Sequence, residues 1–326
     1  MIPTTTASST ISNRWHGSEL EIPNGIMKTD IFVRILSKMP DATGRERDID
    51  EAFSLFRRFS ERFSRFRPES ELSRFNGSEE QVVPPEFVDL LDRSSRWYHE
   101  TGGVFDPSIL PTLEAVGYAG SFGTESFGAP MEMEKSPARF DELSIDRETR
   151  MVHKPRNLRI DFGGIGKGYI VDRVTDFLRE RYENFFVYAG GDIFAGGKNA
   201  ESGYEYWAVD VEDPLGRGDS LVTLLLSDRA VATSGTNRRR WTIDGEKRHH
   251  LIDPRVRRSA ETDLASVTVV APSVEEAEVW AKTFCILGLK QGKRLSEKRM
   301  IPTLFVPENG DMVYNAYIEP YVWKPA

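Results

Sequence analysis

An α+β fold is predicted by three features of the sequence. Runs of β-branched and aromatic residues with strand length, MKTDIFVRIL early and ASVTVVA late, bracket the chain. Between them phenylalanines recur at helical steps. Beyond FFVYAGGDI, the segments YWAVDVED, SLVTLLL, AVATSG and RRWTIDG follow one another through short polar turns, the rhythm of an antiparallel sheet.

Residues 1–25 are polar, rich in Ser and Thr, and read as a disordered arm, so order is expected to start near Ile26 and to run to residue 326. MKTDIFVRIL then alternates as a half-buried strand. From Asp48 to Phe66 the period changes: Phe53, Phe56, Phe59, Phe63 and Phe66 fall on one helix face, which points to core packing, with Phe66 at the end beside Arg67-Pro68 placed to reach a ligand. A second helix is expected over Pro85–Glu100, with Pro at its start and Gly102-Gly103 past its end. Residues 118–140, rich in Gly, Ser, Pro and Glu, read as a surface excursion. LRIDF reads as a strand, followed by a glycine turn and a helix from Lys167 to Tyr182 that turns Ile170, Val171, Val174, Phe177 and Leu178 inward. A helix over 274–289 and a hairpin around Asn309-Gly310 close the chain.

Bulk properties exclude several classes. A net charge of -8 leaves no basic footprint for nucleic acid. No stretch reaches the roughly 18 apolar residues of a membrane helix. The first twenty residues hold no apolar signal core, so a cytoplasmic location is expected. The single cysteine, Cys285, rules out an internal disulfide and sits in an apolar helical stretch, the setting of a buried, inert thiol.

Two segments can carry chemistry. Gly164, Gly166 and Gly168 surround Lys167 at a strand-to-helix turn, where backbone N–H groups, a helix N-terminus and a lysine together suit a pyrophosphate. The spacing matches neither common phosphate fingerprint: Asp161 stands where a P-loop has its first glycine, and Tyr169 where GxGxxG has its third. A merely tight turn is the alternative. From Thr233 to Arg255, hydroxyls, His249, His250 and arginines come close together; strand alternation sends the two histidines to opposite faces, and one of them can serve as a general base. The other reading is a solvated arginine surface with a structural histidine.

Taken in order, MKTDIFVRI, FRPESELSRFN, GGVFDPS, IDFGGIGKGYIVDRV, YAGGDI, ATSG with HLIDPR, and VTVVAPSVEEAEVWAKTFCILG resemble the FAD:protein FMN transferases of the ApbE type, from about residue 26 to the C-terminus. The resemblance implies a T-fold-like α+β domain with FAD in a cleft, Mg²⁺, and transfer of FMN to a Thr or Ser hydroxyl of an acceptor flavoprotein, with AMP released. Position by position it implies FAD contacts at Met27, Phe66, Val104, Phe105, Asp106, Asp161, Lys167 and Thr233. It further implies a metal ligand at Gly164 and His250 as the base for the acceptor hydroxyl, and it leaves Asp192 a supporting role.

The chain departs from the family pattern on the late helix, where Asp and, four residues on, Thr face the metal; here Glu278 and Lys282 stand in those places. Protonated lysine has no lone pair to offer a metal. Three readings follow: Lys282 occupies the cation's place as part of the catalytic apparatus, Mg²⁺ persists with Glu278, Asp161 or backbone carbonyls as ligands, or the two form a surface ion pair. Two further activities stay open beside transfer: FAD pyrophosphatase, and FAD binding without catalysis.

Overall fold

Met27 and Lys28 both take positive φ, 54° each, which closes a two-residue hairpin whose twist suits its flanking strands. They join β1 (His16–Ile26) to β2 (Thr29–Ser37), paired antiparallel from His16↔Ser37 to Ile26↔Thr29. Residues 16–25, expected in the arm, instead form an edge strand. Such a strand needs one apolar face only, and Leu20, Ile22 and Ile26 supply it. The computed structural model describes residues 16–120, 138–237, 240–243 and 245–324. The rest of the arm, residues 1–15, and positions 121–137 of the expected excursion lie outside the described residues.

Helix α1 (Ala42–Phe63) is capped by Asp41, which accepts the Gly44 N–H at 2.9 Å, and buries Phe53, Phe56, Phe59 and Phe63. It ends at Phe63, so Phe66 stands in the following turn and not on the helix face. After α2 (Glu71–Asn76), β3 (Glu80–Val82) and α3 (Pro85–Glu100) come α4 (Leu110–Ala115), β4 (Ser144–Ile145) and β5 (Met151–His153); β3, β5 and β4 form a small sheet. Helix α3 has the predicted bounds.

LRIDF is not a strand. Leu158, Ile160 and Phe162 are buried in alternation as a strand would have them, but among the described residues no strand pairs with them. The Asn76 amide takes that part, accepting the Ile160 N–H at 2.8 Å and donating to the Ile160 carbonyl at 2.9 Å. The Asp161 N–H goes to the Pro107 carbonyl. Extended backbone is thus satisfied by a side chain instead of a ladder.

Helix α5 (Gly166–Arg179) leads to β6 (Asn184–Ala189), β7 (Asp192–Gly196), β8 (Trp207–Glu212), β9 (Ser220–Leu226) and β10 (Arg229–Gly235). Hairpin β11 (Arg240–Ile243) and β12 (Glu246–His249) follows, with Asp244 of its predicted turn outside the described residues, then the pair β13 (Ile252–Asp253) and β14 (Arg258–Ser259). The chain ends with β15 (Leu264–Ala271), α6 (Val274–Arg299), β16 (Thr303–Pro307) and β17 (Val313–Tyr314). The eight-stranded main sheet has the order β1-β2-β6-β7-β10-β15-β16-β17, antiparallel at every step. An α+β architecture is what the meander of apolar runs predicts, with one change: β8 and β9 pair with each other as a separate layer. Their Trp207, Val209, Val211, Leu224 and Leu226 pack on one face of the main sheet, and the helices cover the other. Strand β15 is consequently buried at all eight positions, the reason ASVTVVA does not alternate. Helix α6 breaks at Gly288 (φ 74°, ψ 172°), close to the predicted end, and then continues.

Candidate active site

The glycine turn is held at both ends by carboxylates. Asp161 Oδ1 accepts the Gly163 N–H at 2.7 Å, and Oδ2 pairs with Arg65 Nε at 3.0 Å. Arg65 is itself nearly buried. Its guanidinium lies 4.2 Å over the Phe66 ring and 4.9 Å from that of Tyr118, and it donates to the Tyr118 carbonyl at 2.7 Å. Tyr118 in turn stacks on Trp241 with centroids 5.5 Å apart. Phe66, half-exposed, caps an aromatic wall of which the sequence had indicated only one member. Arg65, Tyr118 and Trp241 carry no signal in the sequence, because nothing local brings residues 65, 118 and 241 together.

Beyond the turn, α5 and α6 cap each other. Glu278 of α6 accepts the Gly168 N–H of α5's first turn at 2.8 Å, while Asp172 of α5 accepts the Val274 and Glu275 N–H groups of α6 at 2.7 and 2.9 Å. Each exchange supplies an acceptor to otherwise unsatisfied helix-start donors. Gly168 makes this possible: a Cβ there would stand 2.5 Å from Glu275 Cα.

Four charged groups converge on this junction. Lys167 is ion-paired to the buried Asp192, presented by β7 just past Gly190 and Gly191, whose positive φ values shape the turn from β6. Lys282 Nζ lies 3.4 Å from Glu278 Oε1 and 3.4 Å from the Gly163 carbonyl oxygen. Burial pushes the Asp192 carboxyl up to about 6; Lys167 opposes that shift, Glu278 adds to it and Lys282 opposes it, so the four groups share one field. The pairs are charge-balanced, two ammoniums against two carboxylates.

The remaining expected residues surround this cluster or stand on other elements. Val104 and Phe105 are buried, and a Cβ on Gly164 would meet Phe105 at 3.0 Å and Lys282 Nζ at 3.5 Å, so Gly164 lies between them. Asp106 starts a short 3₁₀ turn by accepting the Ser108 N–H at 2.8 Å and hydroxyl at 2.6 Å. Burial raises its pKa, against those two hydrogen bonds. Met27 packs against the hydrophobic core from the first hairpin turn. Thr233 is exposed on β10, its hydroxyl 2.8 Å from that of Thr268. Of the histidine pair, His249 ends β12 with Nε2 3.0 Å from the Ala260 carbonyl, and burial lowers its pKa. His250 follows the strand, half-buried.

A resident Mg²⁺ asks for several hard oxygen ligands in near-octahedral array. Glu278 already faces the Gly168 N–H and Lys282, Asp161 is taken by Arg65 and Gly163, and Asp192 by Lys167. Among the described residues no three His, Cys, Asp or Glu side chains gather as a metal-holding group. A dication about 4 Å from an ammonium meets repulsion on the order of 8 kcal/mol at an effective dielectric near 20, which cancels the pull of one carboxylate at equal range. The residues present do not fit the ion.

Comparison with known proteins places the fold. The model of the ApbE family matches residues 27–305. A FAD:protein FMN transferase of Vibrio cholerae is 30% identical over 268 residues, covering 79% of this chain and 78% of that protein. One from Klebsiella pneumoniae is 26% identical over 273 residues, covering 81% and 83%. The crystal structure of the ApbE protein of Thermotoga maritima superposes with a TM-score of 0.80 at 25% identity, over 95% of this chain and all (100%) of that one. The apo flavinyl transferase ApbE of Pseudomonas stutzeri gives 0.81 at 24% identity, over 96% and 99%. Among the described residues no helix is long and apolar enough to cross a membrane. The family match takes in the hairpin turn at Met27, the glycine turn, the paired helices and the strands that carry them, and on that extent the chain belongs to the ApbE family.

Proposed function

We propose that the protein moves the FMN half of FAD onto a Thr or Ser hydroxyl of an acceptor protein and releases AMP. The observation that carries this reading is the double role of Asp161. One of its oxygens shapes the glycine turn, and the other holds Arg65 against Phe66 and Tyr118. A site for an anion and a platform for a ring are thereby fixed at one spacing by one residue, which suits a ligand that joins a pyrophosphate to aromatic rings. The relatives at 30% and 26% identity are FAD:protein FMN transferases, which supports the same reading.

In this proposal the acceptor hydroxyl oxygen attacks the FMN phosphorus, the bond from that phosphorus to the bridging oxygen breaks, and AMP departs with the electron pair. His250 takes the hydroxyl proton. Lys167 and the glycine turn around Gly164 hold the non-bridging oxygens, since phosphoryl transfer depends mainly on position and on neutralised charge. Val104, Phe105 and Asp106 bound the cleft beside Gly164, while Met27 and Thr233 contact FAD from β1–β2 and β10.

The test is incubation of the protein with FAD and Thr- or Ser-bearing acceptor proteins, with in-gel flavin fluorescence, intact mass and AMP measured together. A mass gain of one FMN with stoichiometric AMP is expected. Free FMN and AMP without acceptor would replace transfer by pyrophosphate hydrolysis, and intact FAD under every condition would leave binding alone.

A further inference from the structure

We propose that Lys282 is this site's built-in cation, and that with Lys167 it grips the pyrophosphate of FAD without a divalent metal. The proposal rests on the FAD reading above and concerns how the same site meets its ligand's charge. Three observations carry it.

The first is position. Lys282 Nζ lies within 3.4 Å of the Gly163 carbonyl and 3.5 Å from where a Gly164 side chain would begin. The ammonium therefore stands against the glycine turn on the side that Gly164 leaves open. Gly164 has no side chain to keep it from a ligand there.

The second is the looseness of its partners. Both contacts of Lys282, to Glu278 Oε1 and to the Gly163 carbonyl, are 3.4 Å long, at the weak end for a hydrogen bond. Lys167, by contrast, is held close to the buried Asp192. Lys282 is thus the ammonium that can turn toward an incoming phosphate with least loss. Glu278, fixed by the Gly168 N–H at 2.8 Å, keeps it in place until then.

The third is charge. With Glu278 and Asp192 each balanced by a lysine, the site is close to neutral and offers a metal cation no surplus of negative charge. An arriving pyrophosphate meets the two ammoniums, of which Lys282 can swing from Glu278 to supply the positive charge a metal would otherwise bring. A surface i,i+4 ion pair would look different: Glu278 is 3% exposed and Lys282 16%, too enclosed for a solvated pair.

The experiment measures FAD affinity by flavin fluorescence or calorimetry, and AMP release separately, on protein stripped of metal and assayed in EDTA or in Mg²⁺. Inorganic pyrophosphate serves as a second probe of the clamp. Wild-type affinity is expected to agree within about twofold between the two buffers, and Lys282→Met to lose about 10- to 100-fold in EDTA, the range for a lost charge-assisted hydrogen bond. Lys282→Arg, which keeps the charge, is expected to retain most of it, and a native melting profile for either variant guards against misfolding. Wild-type binding that requires Mg²⁺, or Lys282→Met binding like wild type in EDTA, would overturn the proposal. The two readings fail separately. AMP release that needs Mg²⁺ sinks the clamp and leaves transfer standing, whereas tight metal-free FAD binding with no AMP from any acceptor sinks transfer and supports the clamp.

Discussion

Substitution of Gly168 by alanine measures how closely the site depends on the contact between α5 and α6. The added methyl would lie 2.5 Å from Glu275 Cα, 2.6 Å from Glu275 N and 2.8 Å from the Val274 carbonyl carbon, where carbon atoms normally rest about 3.5–4.0 Å apart. All three are backbone atoms, so no rotamer change relieves the clash, and the helices must separate by about 1 Å. Two effects compete. Alanine in place of glycine favours a helix by about 1 kcal/mol, whereas overpacking costs about 1–3 kcal/mol, here near the upper end because the backbone must move. A net loss of about 2 kcal/mol is expected, and at a slope of about 3 kcal/mol per molar urea the midpoint falls by about 0.7 M. The separation also draws the Gly168 N–H from Glu278, so FAD affinity falls with stability. Gly218→Ala is the control, since nothing lies within 4 Å of its Cβ position. Urea titrations followed by tryptophan fluorescence on both variants decide the matter. Equal midpoints for wild type and Gly168→Ala, or an equal loss in Gly218→Ala, would refute the close approach.

Other expectations follow from single residues. Burial pushes the Asp172 carboxyl up to about 7 from an ordinary value of 3.8, so the folded protein holds that proton more tightly than the unfolded chain. Its contribution to stability is full below about pH 4 and is lost as pH rises through 7, by at most about 1.4 kcal/mol per pH unit. Asp172→Asn should flatten that part of the stability profile, and profiles parallel from pH 4 to 7 would contradict it. Cys285 is fully buried with its thiol pushed up to about 12, so a thiol reagent should label the protein only after denaturation; rapid native labelling would be the contrary result. Removal of the proposed base, His250→Ala, should slow transfer by about 10²–10⁴-fold with FAD affinity unchanged, and a fall in affinity without a fall in rate would reassign the residue. Asn76→Ala leaves the Ile160 N–H and carbonyl without their partner, at a cost of about 1–3 kcal/mol, read as a lowered urea midpoint; an unchanged midpoint would mean that water takes the amide's place.

Periodicity located elements well where their partners are nearby or where one face alone is buried. The phenylalanines of α1 and the bounds of α3 were legible because helical hydrogen bonds are internal, so the local pattern is complete evidence. Leu158–Phe162 shows the limit. Its alternation correctly marks which side chains are buried, but whether a strand lies alongside depends on distant chain, and here the neighbour is Asn76. Residues 16–25 look too polar to fold, yet an edge strand needs only every second residue to be apolar. In the site, Lys167 was accessible from the glycine turn, and Asp161, Glu278 and Lys282 through the resemblance of the ordered segments to the ApbE-type transferases. The aromatic wall was not: Arg65, Tyr118 and Trp241 lie far apart in the chain and meet only in the folded protein, and each alone looks like an ordinary surface or core residue.

The two ammonium–carboxylate pairs are divided between the chain's halves. Lys167 and Asp192 precede the exposed residues 215–219, and Glu278 and Lys282 follow them. A chain cut in that turn would leave β7 and β8 on one piece and β9 and β10 on the other, with the pairings Trp207↔Leu226 through Glu212↔Ser220 and Ala195↔Arg229 through Ile193↔Val231 both crossing the cut. Neither piece carries a complete clamp, so flavin turnover by a mixture would report their reunion. On the proposed clamp the same division holds during synthesis, and the growing chain gains both lysines only once α6 has docked.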